Sequence, residues 1–389
     1  MERMNHNESG QKNWYDYSYK WLLVIPLILL LFSVFYLYNF DSKNGDVIYK
    51  DVTLTGGTTI SLFDSKINID DLKDNLSTEL PDVNVRGISD IQTGGQVGVI
   101  VETKENVDVV KPILEKYIGY TLTSQNSSTE FTKATISSGF YQQLRNSMLA
   151  AFLLMACVVF LRFAQSKKIK SLVLILTFLG VGIALAEVPG IKTFSMVAAI
   201  ISLGYGLWKG EKSKDKVYLL GGTTLVTFII LSIYPKGFLL IPVLLALIFL
   251  YIIDSMPSFM MILCAFADIV MTVVVVDMLK LNLSLAGIIA FLMLIGYSID
   301  TDILMTSRLL IEKEGTKNHR LFGAFKTGMM MTLTAIAAVG VSLLIIQNLS
   351  VTLHQIFTIV LIGLFFDMLN TWITNASLLK WYMEAKHLD

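Results

Sequence analysis

The chain has 389 residues, of which 54% are apolar and 16% charged, with no net charge and a mean hydropathy of +0.62. Ordinary soluble domains carry about a quarter charged residues, so this composition excludes a protein that faces water on all sides. It also leaves no global basic field for nucleic acid, and the two cysteines, Cys157 and Cys264, fall inside apolar runs as small core hydrophobes.

A bilayer-spanning helix needs about 20 apolar residues. The first run of that kind, 21–38, follows a charged tail, 1–20. Its exit, Asn39-Phe40-Asp41, lacks the small residues of a signal-peptidase site. A retained membrane anchor is therefore expected.

Segment 39–143 is polar and reads as an α+β domain. Residues 58–63 alternate like a strand, and 69–80 have helical spacing behind the caps Asn68 and Asp70. Strands follow at 83–87 and 96–103, with the turn Thr93-Gly94-Gly95 between them. A helix over 106–117 groups Val109, Ile113 and Leu114 on one face, and 121–135 is extended. The order β-α-β-β-α-β is that of a ferredoxin-like sandwich.

From Leu144 the chain is almost continuously apolar, with spans expected at 144–163, 171–188, 191–208, 217–234, 237–253, 257–278, 283–305, 323–346 and 353–376. With the anchor, the fold class is a polytopic α-helical membrane protein of about ten spanning helices and one polar domain. Lysine and arginine are retained in the cytoplasm. One set of loops holds Arg3, Lys12, Lys20, Arg162, Lys167, Lys168, Lys170, Lys209, Lys212, Lys214, Lys216, Arg308, Lys313, Lys317, Arg320, Lys380 and Lys386. The opposite short loops hold Lys192, Lys236 and Lys280. Both termini, including the tail 381–389, are thus expected in the cytoplasm, and 39–143 outside.

Ionisable residues inside spans cost about 2.5–3.5 kcal/mol each on insertion scales, which makes them functional candidates. Asp268, Asp300, Asp302 and Asp367 qualify. Asp268 lies about 10 residues into its helix, or about 15 Å deep, near the bilayer midplane. Asp300 and Asp302 are about 200° apart on a regular helix, so one faces the bundle and the other an edge. Lys326 opens the next span from the same side and is the expected partner of one of them. Asp367, beside Asn370 and Asn375, reads as a structural hydrogen-bonding group. Asp254 and Asp277 sit at helix ends and are expected to be solvated.

Several segments resemble the SecF family. Residues 285–308, LAGIIAFLMLIGYSIDTDILMTSR, are similar to the family's Gly-Tyr-Ser helix, which continues into acids and an arginine; the Asp-Thr-Asp form resembles archaeal members. Residues 265–272 (AFADIVMT), 324–335 (AFKTGMMMTLTA) and 365–382 (FFDMLNTWITNASLLKWY) resemble three further family segments. LTGGTTISL at 54–62 resembles the Gly-Gly-Thr motif, here Gly56, Gly57 and Thr58, that opens the external domain.

The resemblance implies an RND-like six-helix core made of 21–38, 144–163 and the four spans of 257–380. It implies a SecD partner, a SecYE-type Sec translocon, exported polypeptides as clients, surrounding membrane lipids and proton flux as the energy source. It implies no cofactor, metal or catalytic residue. Asp300 matches the coupling aspartate of SecD-like sequences, whereas the bacterial SecF acid falls at Thr301 here, so Asp300 and Asp302 both remain candidates. Lys326 stands where many members have arginine, and Thr53 where the motif has aspartate. Segment 164–256 replaces a short family connection with four apolar helices, whose glycines, Gly180, Gly182, Gly204, Gly206, Gly221 and Gly222, suit close packing. Two rival readings are an RND-type exporter of small molecules or lipids and an intramembrane aspartyl protease. The first normally repeats its membrane half; the second needs a Gly-x-Gly-Asp motif that the run Gly296-Tyr297-Ser298-Ile299-Asp300 lacks.

Overall fold

The computed structural model describes residues 14–80, 82–89, 95–132, 134–185, 236–312, 316–346 and 351–387. The chain begins with α1 (Trp14–Leu22) and α2 (Val24–Asn44), which stops at Gly45 in the left-handed conformation, φ 74°. A single-turn helix, α3 (Val52–Thr55), then leads into a four-stranded antiparallel sheet. Its strands are β1 (Gly57–Leu62), β2 (Asn84–Ser89), β3 (Gln96–Thr103) and β4 (Ser127–Thr132), in spatial order β2-β3-β1-β4. Helices α4 (Ile69–Glu79) and α5 (Val107–Ile118) complete this α/β domain.

Local chemistry explains the element ends. Asn68 accepts hydrogen bonds from the Asp70 and Asp71 amides, and Asn106 from that of Asp108, so each caps its helix. Gly119, at φ 78°, ends α5. The core joins the inward residues of the sheet, Ile60, Leu62, Val85, Val99 and Val101, to Leu72, Leu76, Val110 and Leu114. The apolar face of α5 is thus Val110 with Leu114; Val109, expected there, is 45% exposed, because a helix starting at Val107 turns 110 and 114 inward. Gly57 has φ 145°, and a Cβ there would run into the carbonyl oxygen of Thr103 on β3.

The membrane part comprises α6 (Ala134–Phe163), α7 (Lys167–Ala184), α8 (Lys236–Asp254), α9 (Met256–Met278), α10 (Leu285–Leu310), α11 (Lys317–Ile346) and α12 (Val351–Leu369). Six residues of π-helix, Asn370–Asn375, follow α12 and lead into α13 (Ala376–Ala385). Six helices among the described residues are long and apolar enough to cross a membrane: Tyr17–Asn44, Gly139–Phe163, Met256–Met278, Leu285–Leu310, Lys317–Ile346 and Thr352–Ala385. Of the ten expected spans, 191–208 and 217–234 lie outside the described residues. The apolar part of α8 is shorter, Leu240–Asp254, and α7 opens on Lys167, Lys168 and Lys170.

Helices α7 and α8 pack against α6 through Leu153, Cys157, Phe160, Val173, Val243 and Tyr251, with the Phe160 and Tyr251 rings stacked at 4.6 Å. Asp254 accepts a hydrogen bond from the Ser166 amide and so ties the ends of this pair together. Cys157 and Cys264 are buried and free.

The α/β domain is clasped to the membrane part by main chain. Lys50 pairs with Leu283 in a parallel bridge; the Asp51 amide donates to the Leu283 carbonyl (2.9 Å), and the Leu283 amide to the Tyr49 carbonyl (2.7 Å). The Leu285 amide donates to Thr53 Oγ1 (3.3 Å). Ser284 caps α10 and donates its hydroxyl to Gln355, whose amide nitrogen donates to the Asn282 carbonyl. Asp277 is only 1% exposed, contrary to the expectation of a solvated helix end, because the Tyr49 backbone lies against it. That cover comes from a segment more than 200 residues away in the sequence.

Candidate functional site

Three of the four expected acids meet in the membrane part. Asp268 on α9, Asp302 on α10 and Asp367 on α12 are 1%, 0% and 1% exposed. Helical spacing brings them inward: Leu294, Ser298, Asp302, Met305 and Leu309 form the buried line of α10. Asp300, two residues from both Ser298 and Asp302, therefore falls on the exposed side.

Each carboxyl has its own neutral partners. Ser298 Oγ donates to Asp268 Oδ2 (2.6 Å), and Asn370 Nδ2 to Asp268 Oδ1 (2.7 Å). Asn375 Nδ2 donates to Asp302 Oδ1 (2.7 Å). Thr371 Oγ1 lies 3.0 Å from Asp302 Oδ1 and 3.2 Å from Asp367 Oδ1. Thr301 Oγ1 lies 3.1 Å from Asp367 Oδ1 and 2.9 Å from the Ser298 carbonyl. No lysine or arginine ion-pairs with these acids among the described residues. Asp302 Oδ2, Asn375 Oδ1 and Thr306 Oγ1 make no hydrogen bond there.

The π-helix supplies three of the partners. In a continuous α-helix Asn370 and Asn375 would lie about 140° apart. An i→i+5 turn stacks them instead, so both amides reach the acids while Thr371 sits between Asp302 and Asp367. Gly328 of α11 makes room for this turn: a Cβ there would lie 2.5 Å from Trp372 Cζ2.

Lys326 does not join the site. The buried positions of α11 are Arg320, Ala324, Gly328 and Thr332, spaced by four, and Lys326 is about 200° from that line. It is exposed and, like Asp300, makes no ion pair or hydrogen bond among the described residues. The expected pairing of Lys326 with Asp300 or Asp302 is thus not made within the chain. Asp367, expected to be a structural group, belongs to the acid cluster, with Asn370 beside it. Gly56, Gly57 and Thr58 lie in the α/β domain, where Thr58 Oγ1 donates to the Glu105 carbonyl (2.7 Å). Sequence reasoning gave Ser298 and Thr301 no hydrogen-bonding role and did not single out Thr371. Their signal is faint, hydroxyls at helical spacing opposite membrane acids.

These features define a class: a polytopic membrane protein with an α/β domain and a buried carboxyl cluster. Residues 213–385 match the family described as "Protein export membrane protein SecD/SecF, C-terminal". The chain is similar to the protein-export membrane protein SecF of Methanolacinia petrolearia, 47% identical over 129 residues, which cover 33% of this chain and 45% of that protein. It is 41% identical to SecF of Methanothermobacter thermautotrophicus over 142 residues, 36% of this chain and 50% of that one. The match to SecF of Methanocaldococcus jannaschii is 25% identical over 372 residues, 94% of this chain and 96% of the relative. The chain thus spans about half the length of the first two relatives and nearly all of the third. The solved structure of SecDF, a translocon-associated membrane protein from Thermus thermophilus, superposes with a TM-score of 0.50 at 12% identity, covering 96% of this chain and 39% of that one. That likeness shows the fold. Residues 213–385 are thus similar to the SecD/SecF C-terminal family, and the chain as a whole is similar to archaeal SecF proteins.

Proposed function

We propose that this chain is a SecF-type accessory subunit that works with SecD beside the Sec translocon to assist polypeptide export, driven by protons. The observation that carries the reading is the trio Asp268, Asp302 and Asp367, buried at membrane depth with neutral partners only. Like charges in a low-dielectric site cannot all ionise together, so such a trio holds and exchanges protons.

The same helices reach the α/β domain. The α10 start at Ser284, which meets the Asp51–Leu283 clasp and Gln355 of α12, is 14 residues from Ser298, or about 21 Å along the helix. A shift of α10 against α12 on protonation therefore moves the clasp and, with it, the α/β domain. One charge crossing 100 mV supplies about 2.3 kcal/mol, enough to bias a two-state hinge about 50-fold.

Asp300 and Lys326 face outward from spanning helices, where lipid contact costs about 2.5–3.5 kcal/mol each. Covering by SecD removes that cost and completes the site. In this reading the chain has ten spans, counting the inserted helices of 164–256, with both termini cytoplasmic. The α/β domain is ferredoxin-like and lies outside, within 39–143, where it meets the emerging polypeptide.

The test is reporter export and proton influx in membranes holding the chain and its cognate SecD. Asp268→Asn, Asp302→Asn and Asp367→Asn should each lower both. Normal export by all three variants would overturn proton coupling through this cluster.

A further inference from the structure

The hydroxyl of Thr371 has one proton, yet its oxygen lies 3.0 Å from Asp302 Oδ1 and 3.2 Å from Asp367 Oδ1. It can donate to only one of them. The other contact is a hydrogen bond only when that carboxyl carries a proton and donates to Thr371 Oγ1. Both contacts are therefore satisfied together when Asp302 and Asp367 share one proton, and this is the arrangement of a hydroxyl relay. We propose that Thr371, set between the two carboxyls by the π-turn, passes a proton between Asp367 and Asp302. This rests on the reading of the acid cluster as the coupling site and adds the residue that connects its members.

The step balances. The Asp367 O–H bond breaks as its proton moves to Thr371 Oγ1, and the former Thr371 proton moves to Asp302. One O–H bond forms at each acceptor as one breaks at each donor, so the net change is one proton from Asp367 to Asp302. Rotation of the hydroxyl resets the relay.

The surroundings suit this role. Asp302 Oδ2 has no hydrogen bond among the described residues, so it is free to take the proton onward. Thr371 is fully buried, so bulk water does not short-circuit the transfer. The titratable and charged groups around the relay are few. From α9, Asp268 is held by Ser298 and Asn370, and the Cys264 thiol faces the Asn370 carbonyl at 3.8 Å. From α10 and α12 come Asp302 and Asp367 themselves. On α11 Lys326 points outward, and on α13 Lys380 engages Asn318 and the Tyr19 ring.

The π-turn is the positioning element. It offsets the helix so that Asn370 reaches Asp268 while Asn375 and Thr371 both reach Asp302 Oδ1. A regular α-helix through 370–375 would carry Asn375 away from Asn370 by about 140°, and the three donors would no longer converge.

The experiment compares Thr371→Val, which keeps the shape and removes the hydroxyl, with Thr371→Ser, which keeps the hydroxyl. The chain is reconstituted with cognate SecD in vesicles containing a pH-sensitive dye. Proton influx is followed under an imposed gradient at several pH values, and infrared spectra record the carboxyl bands. Thr371→Val should lower influx about 100-fold, in the range typical of a lost proton-transfer group, while Thr371→Ser stays within about twofold of the parent. Influx at the parental rate in Thr371→Val would overturn the relay, as would equal losses in the Val and Ser variants. Asp302→Asn and Asp367→Asn separate the two claims. If both abolish influx while Thr371→Val does not, the relay alone falls; if neither changes influx, the coupling site falls with it.

Discussion

Replacing Asp51 by asparagine should flatten a pH dependence that the parent shows at the clasp between the two parts of the molecule. Asp51 caps α3, accepting from the Val52 amide, while its own amide donates to Leu283. Burial, and then the nearby Glu102, push its carboxyl up to about 6, against the pull of the Val52 amide and Arg86. Of the other charged groups of the region, Asp46 pairs with Lys50 and the Tyr141 hydroxyl, Arg145 lies over the Tyr141 ring, Lys280 is exposed in the α9–α10 turn, and Asp277 is buried against the Tyr49 backbone in parent and variant alike. A carboxyl raised on docking favours the docked form when protonated and opposes it when ionised. The penalty is absent below about pH 4, grows as pH rises from 4 to 6 and is complete above that. From those two values, local opening of the clasp should increase roughly 50-fold between pH 4 and pH 7, or about 2 kcal/mol. Asparagine caps helices as well as aspartate does and carries no charge, so the Asp51→Asn protein should lack that increase. Hydrogen exchange of the Leu54, Thr55 and Gly56 amides, corrected for intrinsic pH dependence, reads the opening directly. Equal pH slopes in the parent and Asp51→Asn would refute the reasoning.

Three other outcomes follow from packing and backbone geometry. Gly57→Ala forces a side chain onto a backbone at φ 145° and against the Thr103 carbonyl; strain alone costs about 1–3 kcal/mol, so 50–132 should become protease-sensitive. Gly328→Ala places a methyl 2.5 Å from Trp372 Cζ2; overpacking of about 1–3 kcal/mol should lower the Tm in detergent. Leu114→Ala empties a fully buried position and should cost about 2–5 kcal/mol in urea unfolding, whereas Val109→Ala, at 45% exposure, should stay within about 0.5 kcal/mol.

The α/β elements were legible because binary pattern and caps agree: Asn68 and Asn106 stand where the helices begin, and alternation marks Ile60, Leu62, Val99 and Val101 as inward. The acids at 268 and 302 were legible from the cost of charge in lipid. Depth along a helix, however, says nothing of azimuth. Lys326 matched Asp300 in depth, while the small residues Ala324, Gly328 and Thr332 already marked the opposite face of α11 as the packed one. The π-turn left no propensity signal, so Thr371 read as a scattered polar position and Asn375 only as a neighbour of Asp367. Asp277 was misjudged because its cover comes from the distant Tyr49 segment.

The junction between the two parts of the chain is built from peptide groups at 49, 51 and 283. These main-chain rungs do not depend on which side chain each residue carries, and Thr53 adds a side-chain contact to them by accepting from the Leu285 amide. Substitutions that keep the amide hydrogen leave these rungs in place, and only proline, at 51 or 283, deletes a donor outright. Such a seam lets the residues around it drift while the mechanical coupling across it persists.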